Sequence, residues 1–177
     1  MRISQIARRS GQAGLTLIEM LVALAVAALV VAGALAMFSM TSSSQAATKF
    51  AADLTAVRTG IRKAFYGHGY GTGSLTEPLI NARIIPTSWE VTGSAPTRTV
   101  RTPFGVLTVT GISSGARFQV TVAGVPSAVC TSVMANSAGW ESVTIGSNPT
   151  RTLPVSLDTA AADCGSAATV SMTLVGF

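Results

Sequence analysis

Residues Gly14–Glu19 read Gly-Leu-Thr-Leu-Ile-Glu, and the apolar run Met20–Phe38 follows them directly. Three arginines precede this stretch: Arg2, Arg8 and Arg9. The nineteen residues of the run carry no charged or strongly polar side chain. As a helix they span roughly 28 Å, about the thickness of the hydrocarbon core of a bilayer. A carboxylate at the head of such a run is costly in lipid, so Glu19 needs a specific reason to be there.

The arginine-rich leader, the glycine, the Thr-Leu-Ile-Glu sequence and the long apolar helix together resemble the start of a type IV prepilin. The resemblance implies that a prepilin peptidase removes residues 1–14 by cutting after Gly14, and that the new N-terminal residue, Leu15, is methylated. An ordinary secretory signal peptide differs, because it is cut after its apolar region at a small-x-small site. It also carries no acid at the head of that region.

Glu19 lies four residues after Leu15 and therefore on the same helical face. Its carboxylate can pair with the new amine of its own chain or with that of a neighbouring subunit. Because a buried carboxylate without a partner is strongly unfavourable, this pairing predicts that Glu19 sets the register of subunit assembly and has no catalytic role.

The 177 residues suffice for one domain with a single core. The formal net charge is +5, but removing the three leader arginines from the twelve basic residues leaves nine against seven acids, or about +2. Nucleic-acid binding is therefore not predicted. The leader arginines are better explained by the positive-inside rule, which keeps residues 1–14 in the cytoplasm and sends the C-terminal part across the membrane.

Cys130 and Cys164 are the only cysteines, and both lie in the part that we expect to be exported. An even count in an oxidising compartment favours a disulfide, and two free buried thiols are the alternative. With one histidine and no Cys-x-x-Cys pattern, the usual zinc ligand sets cannot be assembled, so no metal is predicted.

A helical stripe follows the apolar run: Phe50, Leu54, Val57, Ile61 and Phe65 recur at spacings of three and four. One helix is therefore predicted from about Leu15 to Tyr66, of which about 15–40 would be transmembrane segment and filament core. Gly33 lies among alanines, which favours close helix packing, although alanine is also simply a good helix former. Glycines after Tyr66 end the helix, and residues 67–177 form a head.

The head is predicted to be β-rich. Alternating or apolar segments indicate strands at Thr97–Thr102, Gly105–Thr110, Ala116–Ala123, Gly139–Gly146 and Ala168–Val175. Short helices are predicted from a Thr76 cap to about Ala82, over Pro126–Ser137, and from an Asp158 cap to Cys164. The fold class is thus α+β, a long N-terminal helix packed on an antiparallel sheet.

The head resembles that of a type IVb pilin, in the group of bundlin and the thin-pilus and toxin-coregulated pilins. The residues that carry this resemblance are Arg98–Gly105, Val125–Cys130 and the second cysteine, Cys164. It implies the ladle-shaped pilin fold, with a disulfide-bounded surface region at 130–164.

Catalytic chemistry is not predicted. Gly111–Gly115 matches the Gly-x-Ser-x-Gly pattern of serine hydrolases, but it joins two strand-like segments, whereas that pattern must join a strand to a helix. His68 is expected to be an exposed loop residue. The acids show no metal-binding spacing, and no cofactor motif occurs. Trp89, Trp140, Phe104 and Phe118 are expected in the core.

The sequence therefore predicts a structural subunit, not an enzyme. It would be inserted in the inner membrane, processed by prepilin peptidase, and polymerised by the pilus assembly machinery into an extracellular homo-oligomeric filament. Two alternatives stay open at this point. One is a type II secretion pseudopilin, against which the cysteine pair and the long C-terminal part argue. The other is a membrane-anchored binding protein that never polymerises, against which Glu19 argues.

Overall fold

The computed structural model describes residues 16–137, 139–165 and 167–177, and it forms two compact units, Met1–Thr41 and Ser42–Phe177. Helix α1 (Leu17–Ala64) supplies the described part of the first unit and the start of the second. The helix begins where Thr16 offers an acceptor: the Glu19 backbone N–H donates to Thr16 Oγ1 at 3.3 Å. This bond satisfies one of the amides that a helix leaves free at its start.

Within the described residues, the second unit contains three more α-helices and one eight-stranded sheet. The helices are α2 (Thr76–Asn81), α3 (Ser127–Asn136) and α4 (Leu157–Cys164). The strands are β1 (Gly73–Ser74), β2 (Glu90–Thr92), β3 (Thr99–Arg101), β4 (Val106–Ile112), β5 (Arg117–Pro126), β6 (Ser142–Ile145), β7 (Arg151–Thr152) and β8 (Thr169–Gly176). The sheet order is β2-β3-β4-β5-β8-β6-β7, with β1 paired to β4, and every pairing is antiparallel. The α+β class with an antiparallel head is thus confirmed.

Strands β4 and β5 form the hairpin that the sequence predicts around Gly111–Gly115. Gly111 pairs with Phe118 and Ile112 with Arg117, and a single 3₁₀ turn, Ser113–Gly115, joins the strands. Strand β5 buries alternate residues, as expected for a strand with one face on the core. Strand β8 is an interior strand of the sheet and lies between β5 and β6.

The core of the second unit forms between the helical stripe and the sheet. Phe50, Leu54, Val57 and Ile61 are at most 1 % exposed. Aromatic rings continue the cluster from the helix into the sheet, in the order Phe65, Tyr70, Phe118 and Trp140, with centroids 4.9–5.8 Å apart. The prediction of core positions is confirmed for Trp89, Trp140 and Phe118, and Phe104 is half-buried and packs against the same cluster.

Two helix caps differ from the sequence prediction. Ser156, not Asp158, caps α4: its extended backbone precedes the helix, and its Oγ accepts from the Thr159 N–H at 3.3 Å. Asp158 lies in the first turn, where a carboxylate still complements the helix dipole. Thr76 is the first residue of α2 rather than its cap, and its hydroxyl accepts instead from the Val109 N–H of β4 at 3.3 Å.

Candidate assembly site

The first unit presents an uncovered apolar helix. Leu17–Leu35 is long and apolar enough to cross a membrane, with a mean hydropathy of 2.5 over nineteen residues, and none of it is buried within the chain. A stretch this apolar is unfavourable in water, because burying each large apolar side chain is worth about 1.5–3 kcal/mol. The segment therefore needs a covering, which is either lipid or other helices.

Glu19 lies in the first turn of α1, and its side chain is exposed in the single chain. Its expected partner, the amine of Leu15, lies outside the described residues, as does the proposed cleavage position at Gly14. The structure thus places Glu19 at the start of the apolar segment, and the pairing of its carboxylate stays a prediction.

Small residues leave part of the apolar helix accessible to close approach. A Cβ added at Gly33 would meet no atom within 4 Å, so no neighbour within the described chain requires glycine there. Ala23, Ala27 and Ala28 are likewise exposed. Such a surface lets another helix backbone approach closely, which is the use of small residues in helix packing within membranes.

In the second unit, Cys130 and Cys164 form a disulfide, with their Cα atoms 5.9 Å apart. Cys130 lies in α3 and Cys164 ends α4, and both side chains are fully buried. The bond closes a 34-residue separation that contains most of α3, strands β6 and β7, and α4. The bond thereby joins α3 to the end of α4 and holds the two ends of the region between the cysteines together.

An ion pair beside the disulfide was not predicted from the sequence. Arg151 Nε donates to Asp163 Oδ2 at 2.9 Å, and a second guanidinium nitrogen of Arg151 donates to Oδ1 at 3.3 Å. The Asp163 carboxylate, as hydrogen-bond partner and as negative charge, raises the pKa of Arg151. Asn148 also donates to the Asp163 carbonyl at 2.9 Å. These contacts fix β7 and its preceding turn to the residue next to Cys164.

Ser113 of the Gly-x-Ser-x-Gly match and His68 both lie in connections between elements of the described chain. No group of three or more His, Cys, Asp or Glu side chains in the described part of the chain is placed to hold a metal. Ser113 lies in a hairpin between two strands, so the strand-to-helix context that a hydrolase nucleophile needs is not met. His68 is exposed in the loop after α1, as predicted.

Comparisons with known proteins agree with this fold. The prokaryotic N-terminal methylation motif matches residues 9–35, and the family described as PilS N terminal matches residues 43–175. The crystal structure of TcpA, a type IV pilin from Vibrio cholerae El Tor biotype, aligns with a TM-score of 0.55 at 12 % identity, over 75 % of this chain and 99 % of TcpA. The NMR structure of the type IVb pilin PilS from Salmonella typhi aligns with a TM-score of 0.50 at 22 % identity, over 73 % of this chain and 94 % of that one. A search of curated protein sequences found no match.

The fold and the methylation motif together define a type IV pilin. Because the family match covers most of its length, the chain belongs to the PilS family. Members of this class are structural rather than enzymatic, which agrees with the absence of a predicted catalytic site in the sequence.

Proposed function

We propose that this chain is the structural subunit of an extracellular type IVb pilus, and that it polymerises through α1. One observation carries the proposal: the apolar segment Leu17–Leu35 is uncovered, and a single carboxylate, Glu19, lies in its first turn. Lipid can cover the apolar side chains of an isolated subunit, but it cannot neutralise the carboxylate. A bundle of identical helices meets both needs, because a neighbouring N-terminal amine can pair with Glu19.

The subunit then exists in two states, first in the membrane before assembly and afterwards in the filament. Before assembly, the leader arginines hold the N-terminus in the cytoplasm, and the apolar segment anchors the precursor in the inner membrane. Prepilin peptidase cuts after Gly14 and leaves Leu15 as the methylated N-terminus. Afterwards the assembly machinery moves the segment from lipid into the filament core, and the exported head lies on the filament surface.

Two features of the head suit an extracellular location. A disulfide between Cys130 and Cys164 persists in oxidising compartments, and six of the ten charged residues of the head form ion pairs. A filament of this kind serves adhesion, aggregation, conjugation or motility.

The test is electron microscopy of cells that carry the gene, cells that lack it, and the deletion strain with the gene restored. We expect surface filaments in the first and third strains only. Filaments sheared from the cells should contain this chain as a main component by mass spectrometry. Equal filaments without the gene, or a chain found only in the membrane fraction of piliated cells, would contradict the proposal and favour a non-polymerising membrane-anchored protein.

A further inference from the structure

A groove of about 610 Å³ opens at the end of α1. Its walls come from the last turn of α1 and the glycine-rich loop after it, from the β4–β5 hairpin, and from the last residue of the chain, Phe177. Two aromatic residues in it are exposed to an unusual degree for their size: Tyr66 at 88 % and Phe177 at 55 %. Exposed aromatic surface inside a groove is typical of a surface that another molecule covers.

The same groove is positively charged. Arg62 and Lys63 line it and are exposed, and Arg62 Cζ lies 5.9 Å from the centroid of the Phe177 ring. The ion pairs within the described residues are Glu77–Arg98, Glu141–Arg117 and Asp163–Arg151, and none includes Arg62 or Lys63. One turn earlier, burial and then the positive charge of Arg62 lower the pKa of Arg58. The groove thus combines apolar surface with two cations, Arg62 and Lys63, that form no ion pair within the described residues.

A surface of the opposite kind lies at the start of α4 in the head. Leu157, the first residue of α4, is 64 % exposed, and the next residue, Asp158, is also exposed. Asp158 takes part in none of the ion pairs named above. Both residues lie in the region between the two cysteines, which the disulfide and the Arg151–Asp163 pair make rigid. Leu157 can pack against the aromatic side chains of the groove, and Asp158 can pair with its cations.

A second candidate surface, Glu90–Val91 on β2, fits less well. Val91 is 40 % exposed, which is less than Leu157. Glu90 lies directly opposite Arg101 in the antiparallel β2–β3 pair, so a basic side chain of the same chain faces its charge. This surface provides a matched control, because it has the same composition of one acid and one apolar residue.

We propose that the groove binds Leu157 and Asp158 of a second copy of this chain, with Leu157 against Tyr66 and Phe177 and the Asp158 carboxylate beside Arg62 and Lys63. The inference rests on the proposed function, since it names a contact between heads in the filament. The two surfaces are different patches of one molecule, so the contact is heterologous. Contacts of this kind continue from copy to copy and produce open helical filaments when they do not close into rings. The groove contact orients heads that the apolar helices already hold together.

Charge reversal tests the contact in the full chain, expressed in cells. Asp158→Lys places a cation against the groove, and the double variant Arg62→Glu with Lys63→Glu places acids against Asp158. Like charges across an interface are strongly unfavourable, so each variant should reduce filament number by about tenfold or more. Combining the three substitutions restores opposite charges and should recover filaments. Glu90→Lys combined with Arg101→Glu, the matched control, keeps opposite charges across β2 and β3 and should leave filament number near that of the wild type, with equal amounts of every variant in the membrane fraction.

Cross-linking of wild-type filaments provides a second readout that no folding defect can affect. A carbodiimide joins an amine to a carboxylate in contact with it, and water is lost as the amide forms. We expect a Lys63–Asp158 cross-link between subunits, identified by peptide mass spectrometry. Three outcomes would overturn the contact alone. The filaments could yield other cross-links but not this one, filament number could fail to respond to charge reversal, or it could fail to recover in the combined variant. A wild-type strain without filaments of this chain would overturn the proposed function and this contact with it.

Discussion

Arg98 holds the carboxylate of Glu77 from three sides. Its Nη2 donates to Oε2 at 2.6 Å, its Nε contacts both oxygens at 3.0–3.2 Å, and its backbone N–H donates to Oε1 at 3.0 Å. The same guanidinium also donates to Asn81 at the end of α2. These bonds tie α2 to the segment that enters β3, near the edge of the sheet that lies away from the disulfide.

Because of the Glu77–Arg98 pair, we expect acid to lower the stability of this edge of the head. Hydrogen bonding from the Arg98 side chain, followed by that from its backbone, lowers the pKa of Glu77. The stabilisation is fully present above the pKa of the unfolded chain, about 4.3, and is lost as pH falls through the lower pKa of the folded state. Glu77→Gln should therefore lower thermal stability at pH 7 and flatten its decline between pH 5 and pH 3. The exposed Glu90→Gln serves as control, and an unchanged pH profile in Glu77→Gln would contradict the prediction.

Loss of the disulfide is expected to destabilise the head. On the chain-entropy model, a loop of this size contributes roughly 3–4 kcal/mol, so Cys130→Ser with Cys164→Ser should lower the unfolding free energy by about that amount. Denaturant unfolding of the purified full chain measures the change, and reductant should reproduce it in the wild type. We expect a larger loss of filaments than of membrane-inserted subunit. Thiols that react with an alkylating reagent without prior reduction would show that the bond is absent.

Two glycines of α1 should respond differently to alanine. At Gly60 an added Cβ would collide with the side chain of Ile84, and the overpacking, typically about 1–3 kcal/mol, exceeds the helix-propensity gain of about 1 kcal/mol. Gly60→Ala should therefore lower the melting temperature. Gly33→Ala meets no atom within the described chain, so it should leave that temperature unchanged. If helices pack closely at Gly33 in the filament, the same variant should reduce filament number. A Gly60→Ala protein at least as stable as the wild type would refute the packing argument.

Glu19 is expected to govern assembly without affecting insertion. Glu19→Val removes the carboxylate and keeps the segment apolar, so membrane insertion and leader cleavage should continue while filaments fail or shorten. The unpaired amine left in the filament core accounts for the loss, because breaking a buried pair costs about 3–5 kcal/mol. Membrane fractionation and filament counts in one strain measure both effects, with Ile18→Val as the control. Filaments of normal number and length in Glu19→Val cells would contradict the role of Glu19 in register.

Sequence periodicity predicts the long helices and strands correctly. The stripe from Phe50 to Ile61 specified the buried face of α1, and alternation along β5 and β8 identified two central strands. The two-residue strands β1 and β7 are too short to show a period. Strand β2 is held by its register with β3, a non-local pairing that no local pattern reports.

Capping and ion pairing depend on geometry that composition does not contain. Ser156 and Asp158 are both common caps, and the extended backbone at Ser156 decides between them. Arg151 and Asp163 are separated by twelve positions, and Glu77 and Arg98 by twenty-one, so only the fold brings them together. The groove beside Arg62 and Lys63 is likewise assembled from three distant segments of the chain.

The intact mass of the subunit in filaments sheared from the cell surface tests the central claim most directly. It reports in one number whether this chain is in the filament, where it begins, and whether it is modified. We predict the mass of residues 15–177 with one added methyl group and with one disulfide, which is visible as a gain of two hydrogen atoms on reduction. Filaments without this chain, or a chain that still begins at Met1 and stays in the membrane, would contradict the account.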